Sequence, residues 1–169
     1  EGHGRGWCGP GAVRGGGKWA GIRGQPILGQ GQVSLFSRTG DDIAGSVPDL
    51  VDNVFGEGVL DGELLVGRDL EAAPFNDLQQ RLNRKTVTPK LLAEFPAHLR
   101  AYDLLAEDAD DLRDLPFTER RARLEKLIAG LGTPRIDLSP MIPFAKWPEL
   151  IAARADPAAG GAGDDASAV

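Results

Sequence analysis

Apolar residues along this 169-residue chain recur with two periods, and the change between them predicts a mixture of strands and helices. Residues 22–28 and 32–37 are extended segments separated by Gly29-Gln30-Gly31, a spacing that predicts a β-hairpin. Residues 59–66 are mostly apolar and bounded by glycines, and residues 99–105 form another extended segment. Both are predicted strands, and residues 135–138 are a shorter one.

Helical spacing of apolar residues predicts five helices between and after these strands. Thr88 followed by Pro89 predicts a capped helix start, and Thr118 is the predicted cap of the longest helix, which Gly130 and Gly132 end. The remaining helices are expected at residues 48–55, on the face formed by Phe75, Leu78 and Leu82, and at residues 145–153. Because strands and helices do not alternate as βαβ units, the prediction is an α+β fold with a largely antiparallel sheet.

Composition divides the chain into three parts. Residues 1–17 contain eight glycines, and residues 155–169 are mostly Ala, Gly, Asp and Ser. Such segments bury too little apolar surface to offset the entropy of ordering them, so we expect a disordered leader, a folded region at residues 18–154 and a disordered tail.

Charge and apolar content narrow the function classes. The net charge of −6 disfavours tight nucleic-acid binding by the chain as a whole, although a local basic face is compatible with it. Arg81, Arg84, Lys85 and Lys90 are candidates for a DNA-facing basic strip, with ordinary solvated faces as the alternative. No apolar stretch approaches the roughly 18 residues of a membrane span, so no membrane partner and a cytoplasmic location are expected. With one cysteine and two distant histidines, no metal site is predicted.

The Gly-rich stretch at residues 15–25, GGGKWAGIRGQ, places Lys18 among glycines. A phosphate-binding P-loop would need glycine at Ala12 and Ser or Thr at Trp19, so this motif is excluded. This stretch alone favours a solvated lysine in a Gly-rich leader as the interpretation of Lys18.

Two carboxylates interrupt the apolar strand at residues 59–66. Asp61 and Glu63 are two residues apart and therefore share a face, with Gly62 between them. Carboxylates on a strand face indicate a site or a solvated sheet surface, and both readings stay open. Glycine in a strand often marks a close approach of another group, which favours the site.

Four short motifs in this order resemble the adenylation domain of the bacterial ATP-dependent DNA ligases, which are covalent nucleotidyltransferases. The resemblance runs from about Lys18 to Arg154, and its motifs are Lys18-Trp19-x-Gly21-Ile22-Arg23, Leu35-Phe36-Ser37-Arg38, Leu60-Asp61-Gly62-Glu63 and Ala101-Tyr102-Asp103-Leu104-Leu105. It implies an antiparallel-sheet nucleotidyltransferase domain.

The resemblance also implies a chemistry for each motif. Lys18 is expected to attack the α-phosphate of ATP and form lysyl-AMP, with Mg²⁺ offsetting the charge of the triphosphate. Arg23 and Arg38 would hold phosphate, Glu63 would take the ribose hydroxyls or assist the metal, and Tyr102 would stack on adenine. The AMP would then pass to a 5′-phosphate in nicked double-stranded DNA, in a bacterial, nucleoid-associated setting.

The chain departs from the family pattern in three respects, the first of which is Gly16, two residues before Lys18, where the family tends to carry an acidic residue. The family writes its first motif as Lys-x-Asp-Gly, whereas position 20 is Ala20. The glutamate of the fourth motif, the lysines of the fifth and the C-terminal OB-fold would follow residues 147–154, where the chain becomes rich in Ala and Gly. We therefore expect an incomplete domain of impaired activity, with a missing half supplied elsewhere. The alternatives are a non-catalytic remnant that binds nucleotide or nicked DNA, and a covalent enzyme acting on RNA ends or caps.

Overall fold

The computed structural model describes residues 15–29, 31–52, 54, 56–69, 71–82, 84 and 86–155. The described residues divide into two compact units, the first made of residues 15–19 with 140–155 and the second of residues 20–139. Residues 1–14 of the predicted leader and 156–169 of the predicted tail lie outside the described residues, as do Gln30, Phe55 and Lys85. In the described ranges, every helix is too short or too polar to cross a bilayer.

The described elements follow one another as strands and helices in irregular order. The strands are β1 (Gly15–Gly16), β2 (Ile22–Gly29), β3 (Gln32–Ser37), β4 (Gly58–Val66), β5 (Ala97–Glu107), β6 (Asp110–Asp111), β7 (Ile136–Leu138) and β8 (Met141–Ile142). The helices are α1 (Pro48–Val51), α2 (Phe75–Leu82), α3 (Pro89–Glu94), α4 (Phe117–Leu131) and α5 (Trp147–Ala155).

The first unit contains a two-stranded antiparallel pairing of β1 with β8, followed by α5. The Gly15 backbone lies close to both β8 and α5, because a Cβ added there would meet Ile142 of β8 at 3.2 Å and Leu150 of α5 at 3.0 Å. At the start of α5 the Glu149 carboxylate accepts hydrogen bonds from the backbone N–H groups of Ala145 and Lys146. It thereby satisfies donors that a helix start leaves unpaired.

The second unit is built on a six-stranded sheet. Five of its strands follow the order β3-β2-β4-β5-β6, and the sixth, β7, pairs with β5. Every pairing is antiparallel except that of β5 with β7. The predicted α+β class with a largely antiparallel sheet is therefore confirmed. The β2–β4 ladder skips Gln25 and Pro26, where proline has no N–H to donate.

The two faces of this sheet differ in character. One face carries the core, to which β4 and β5 contribute leucines such as Leu60, Leu64, Leu99 and Leu104. Helix α4 packs on β5, α1 on β3 and β5, and α2 on β4. Because strand side chains alternate, Asp61 and Glu63 of β4 lie on the opposite face.

Most predicted elements agree with the observed ones, with shifts at their ends. The hairpin, the strand at residues 59–66 and the capped helix are confirmed, and the Thr88 hydroxyl accepts a hydrogen bond from Leu91 N at 3.3 Å. Thr118 is not the cap of α4, because the helix begins at Phe117 and its N-cap is Pro116. The Pro116 carbonyl accepts hydrogen bonds from the backbone N–H groups of Glu119 and Arg120. Gly132 ends α4 with a left-handed φ of 61°, which suits glycine.

Arg81 is buried, and this corrects its assignment to a solvent-facing basic strip. Its guanidinium donates to both carboxylate oxygens of Asp49 and to the carbonyls of Ser46 and Phe95. Its exposed fraction is 0%. A buried charge is tolerated only when it is paired and hydrogen-bonded. Through these bonds, the Arg81 side chain links α2 to Ser46, just before α1, and to Phe95, just after α3. Arg84 and Lys90 of the predicted strip are exposed.

His98 is buried on the face opposite the core, and neither ring nitrogen has a hydrogen-bond partner among the described residues. Burial lowers the pKa of His98 to about 4, assisted by the charges of Arg100 and Arg135 and opposed by that of Asp137. The imidazole is therefore neutral in the folded protein at neutral pH.

We predict that Arg81→Ala lowers the free energy of unfolding by about 3–5 kcal/mol, because it removes one partner of a buried ion pair. Urea denaturation measures this change. The control Arg84→Ala removes an exposed arginine from the residues following the same helix and is expected to change stability by less than about 0.5 kcal/mol. Equal effects of the two substitutions would contradict the structural role of Arg81.

We also predict that stability falls as the pH is lowered from about 6.5, the usual histidine pKa, to about 4, the pKa of His98 in the folded protein. In this window the unfolded chain binds a proton that the folded chain does not, so acid favours unfolding, by roughly 3 kcal/mol in total. Denaturation of the protein and of His98→Leu across this range tests the point. The leucine variant is expected to lose less stability, and parallel profiles would refute the assignment.

Candidate functional site

Polar side chains gather on the sheet face opposite the core, at the middle of β4. Asp61 and Glu63 alternate with the core residues Leu60 and Leu64, as the strand pattern predicts. Gly62 between them is closely approached, since an added Cβ would meet Arg100 O at 2.8 Å. The packing of β5 against β4 at this point therefore requires glycine.

Asp61 is the centre of a three-strand network. Its exposed fraction is 4%, and its carboxylate accepts two hydrogen bonds from Arg23 on β2, at 3.0 Å from Nε and 2.5 Å from Nη2. The Tyr102 hydroxyl on β5 donates a further bond to Asp61 Oδ1 at 3.2 Å. The Arg23 side chain remains half exposed, so the guanidinium edge that does not face Asp61 is accessible to a ligand.

A bulge in β5 directs Tyr102 towards this network. Asp61 lies opposite Asp103 and Gly62 lies opposite Ala101, which leaves Tyr102 as the extra residue. Bulges of this kind reorient side chains beside functional sites. The two facing carboxylates do not share a partner, because Asp103 is held by Arg120 of α4 at 2.9 and 2.8 Å, whereas Asp61 is held by Arg23. The repulsion expected of like charges in register is offset in this way.

Electrostatics fix the protonation states of the network. The hydrogen bonds from Arg23 to Asp61, together with the charge of Asp61, raise the pKa of Arg23 above its usual value. Burial and then the charge of Asp61 raise the pKa of the Tyr102 hydroxyl, with a smaller contribution from Glu63. Tyr102 is therefore a hydrogen-bond donor at neutral pH, and Arg23 is a cation.

Glu63 is partly buried beside this network. It lies directly opposite Arg23 on β2 and Arg100 on β5. The chain just before β2 also reaches it, because an added Cβ at Gly21 would meet Glu63 Cγ at 2.7 Å and Leu64 O at 2.4 Å. Only glycine fits such an approach, so Gly21 lets the segment that enters β2 lie against β4.

The structure brings together three of the five predicted site residues, namely Arg23, Glu63 and Tyr102. Arg38 is exposed in the turn after β3, at the same end of the hairpin as Arg23, because Ser37 pairs with Gly24. Lys18 is exposed and belongs to the first unit, whereas the other four belong to the second. Its role stays a prediction.

Sequence reasoning noted Asp61 without giving it a role, and it did not single out Arg100 or Asp137. The signal for Asp61 was its position two residues before Glu63 on an apolar strand. No sequence signal indicated that Arg100 and Asp137 lie beside the site, since they come from strands separated by α4.

The chain matches the family model of the ATP-dependent DNA ligase domain over residues 10–150. Curated relatives include a probable DNA ligase of Koribacter versatilis, 38% identical over 122 residues that cover 70% of this chain and 21% of the relative. A probable DNA ligase of Opitutus terrae is 42% identical over 69% of this chain and 12% of its own length. DNA ligase C of Mycobacterium tuberculosis is 36% identical over 68% of this chain and 33% of its own length. The chain thus spans a third or less of these relatives.

Solved structures of similar fold include the ligase domain of M. tuberculosis LigD, with a TM-score of 0.65 and 24% identity over 85% of this chain and 44% of that domain. A Lig E DNA ligase gives a TM-score of 0.64 and 16% identity over 91% of this chain and 54% of its own. At these identities the likeness concerns the fold.

Proposed function

Because the chain belongs to the ATP-dependent DNA ligase family, through its adenylation domain, we propose that it binds ATP on the sheet face that carries Arg23, Glu63 and Tyr102. In this proposal Lys18 is the nucleophile that becomes adenylated. The observation that carries the proposal is the network of Arg23, Asp61 and Tyr102, assembled from three strands beside Glu63.

Each part of the nucleotide finds a matching group on this face. The Tyr102 ring offers a flat apolar surface for adenine, and its hydroxyl is directed to Asp61. The Glu63 carboxylate can accept hydrogen bonds from ribose hydroxyls. Arg23 bonds Asp61 through Nε and Nη2, and its half-exposed guanidinium has further donors for phosphate oxygens. A mycobacterial DNA ligase D of the same fold was solved complexed with ATP and MES.

The proposed reaction is a single phosphoryl substitution. The Lys18 amine, having lost its proton to become nucleophilic, attacks the α-phosphorus of ATP and forms a P–N bond. The bond from that phosphorus to the bridging oxygen breaks, pyrophosphate leaves with the electron pair, and the nitrogen releases a second proton to solvent to give the phosphoramidate. Arg23 and Arg38 would stabilise the negative charge on the phosphates.

Mg²⁺ is proposed as the accompanying ion, supplying charge neutralisation when it is bound with the triphosphate. The part of the chain that the structure describes contains no group of three or more His, Cys, Asp or Glu side chains suited to a metal. Asp61 is already occupied by Arg23 and Tyr102. This donor set fits an ion held mainly by phosphate oxygens, as Mg²⁺ commonly is, with Glu63, which shares a face with Asp61, as an additional carboxylate.

The later steps are proposed from the activity of the DNA ligase family as a whole. The AMP would pass from Lys18 to the 5′-phosphate of a nick in double-stranded DNA, and a 3′-hydroxyl would displace it to seal the strand. Arg38 is the candidate for contact with DNA or nucleotide phosphate, since it is exposed at the end of the hairpin that also carries Arg23.

A second candidate function is nucleotide binding without transfer. The observation that favours it is Ala20 at the position where the family has aspartate. The alanine methyl group can neither accept a hydrogen bond nor carry charge, so the chain can retain the binding face while transferring AMP poorly.

We predict that ATP labelled at the α-phosphate, with Mg²⁺, labels the chain weakly and labels Ala20→Asp more strongly, because the substitution restores a carboxylate beside the nucleophile. Lys18→Ala in both backgrounds is expected to abolish labelling, and acid-labile modification mapped by mass spectrometry should lie on Lys18. Label retained in Lys18→Ala would refute the assignment. ATP binding by calorimetry without label in any variant would support the second candidate function instead.

We predict that Tyr102→Phe changes the Kd for ATP by less than about threefold, whereas Tyr102→Ala raises it about tenfold or more, since stacking on a base contributes about 1–3 kcal/mol. The phenylalanine variant keeps the ring and loses only the hydrogen bond to Asp61. Calorimetry measures both constants. Equal losses in the two variants would contradict stacking on the ring and point to the hydroxyl.

A further inference from the structure

Four charged residues form a row across four strands on the site face, and we refer to them as the charged row. Arg23 on β2 lies opposite Glu63 on β4, and Glu63 lies opposite Arg100 on β5. Arg100 in turn lies opposite Asp137 on the parallel strand β7. Directly opposed residues share a face at short separation, so positive and negative side chains alternate across the sheet.

The outer pair of the row is closely held. Arg100 Nε donates to Asp137 Oδ1 at 3.1 Å and to Oδ2 at 2.9 Å, and Arg100 Nη2 donates to Oδ2 at 2.7 Å. Arg100 is 8% exposed. Two-pronged pairing of a guanidinium with a carboxylate fixes the plane of the arginine as well as its position. Asp137 therefore determines where the guanidinium of Arg100, the residue directly opposite Glu63, lies.

A fixed cation matters because Glu63 is an acceptor in a partly buried setting. Charges that are shielded from water interact more strongly than exposed ones, so a guanidinium on the directly opposite residue Arg100 attracts the Glu63 carboxylate and restricts its direction. On the other side of Glu63, Arg23 is fixed in the same way by Asp61. Glu63 thus lies between two arginines, each of which is held by its own aspartate.

We propose that Asp137, acting through Arg100, is a positioning residue for Glu63, and that the charged row sets the geometry with which Glu63 receives the ribose of the nucleotide. The inference rests on the proposed function, in which Glu63 accepts hydrogen bonds from the ribose hydroxyls. It extends the site to β7, a strand that carries none of the motif residues.

The test compares the affinities of the full chain for ATP and for 2′-deoxy-ATP by calorimetry. A hydrogen bond to a charged acceptor is expected to favour ATP by about tenfold or more in the unsubstituted protein. Glu63→Gln should reduce this preference strongly. Asp137→Asn should reduce it to about threefold or less, and adding Asp137→Asn to Glu63→Gln should reduce it no further, because both act on one interaction.

Two further variants separate positioning from general damage. Asp137→Glu keeps a two-pronged carboxylate and is expected to restore most of the preference, which a purely destabilising substitution would not show. Asp111→Asn is the matched control, because Asp111 holds Arg113 in the same way, through bonds of 3.0 and 2.5 Å, but at an exposed position on β6. It should leave the preference unchanged. The ratio of the two affinities is read on folded protein alone, so partial unfolding does not alter it.

The outcomes distinguish the two proposals. If the unsubstituted chain prefers ATP and Glu63→Gln removes the preference while Asp137→Asn keeps it, the positioning role is overturned and the proposed function stands. If the unsubstituted chain binds both nucleotides equally or binds neither, the ribose role of Glu63 fails, and the inference fails with it. A loss of preference in Asp111→Asn equal to that in Asp137→Asn would likewise overturn the positioning role.

Discussion

The site face depends on the need of one buried carboxylate, Asp61, for partners. Asp61 is in the middle of the central strand β4, where water does not reach it, and a carboxylate in such a place must be paired. Its partners are Arg23 from the strand on one side and Tyr102 from the strand on the other. This pairing links the register of β2, β4 and β5, and with it the relative positions of the groups proposed to bind phosphate, ribose and adenine.

The same principle recurs throughout the second unit. Four arginines that are partly or wholly shielded from water are each matched to one aspartate, and the pairs are Arg23–Asp61, Arg81–Asp49, Arg100–Asp137 and Arg120–Asp103. Burying these ions is costly, so such pairs contribute more to a defined arrangement than to net stability. Two of these pairs, Arg81–Asp49 and Arg120–Asp103, involve the helices that cover the core, where leucines of β4 and β5 pack. The other two, Arg23–Asp61 and Arg100–Asp137, lie on the opposite face. One sheet therefore separates a packed apolar face from a polar face suited to a charged ligand.

The position of Arg81 in the sequence indicates more about its environment than its charge alone does. Arg81 lies three residues after Leu78, on the same side of α2 as the apolar residues that predicted this helix. A basic residue on an apolar helix face is expected to be buried only if a carboxylate in the core pairs with it. Asp49 supplies that carboxylate from 32 residues earlier in the chain. The spacing of residues along α2 could indicate that Arg81 lies on the buried face of the helix, but it could not identify Asp49 as the partner of Arg81.

The sequence by itself determined most of the local elements and the α+β class. It did so because caps such as Thr88, stops such as Gly132 and the alternation along β4 depend on groups within a few residues of one another. Tertiary structure alone decided the parallel addition of β7, the bulge that directs Tyr102 and the pairing of Arg100 with Asp137. These features arise from the register between strands far apart in the chain, and no local pattern of residues specifies such a register.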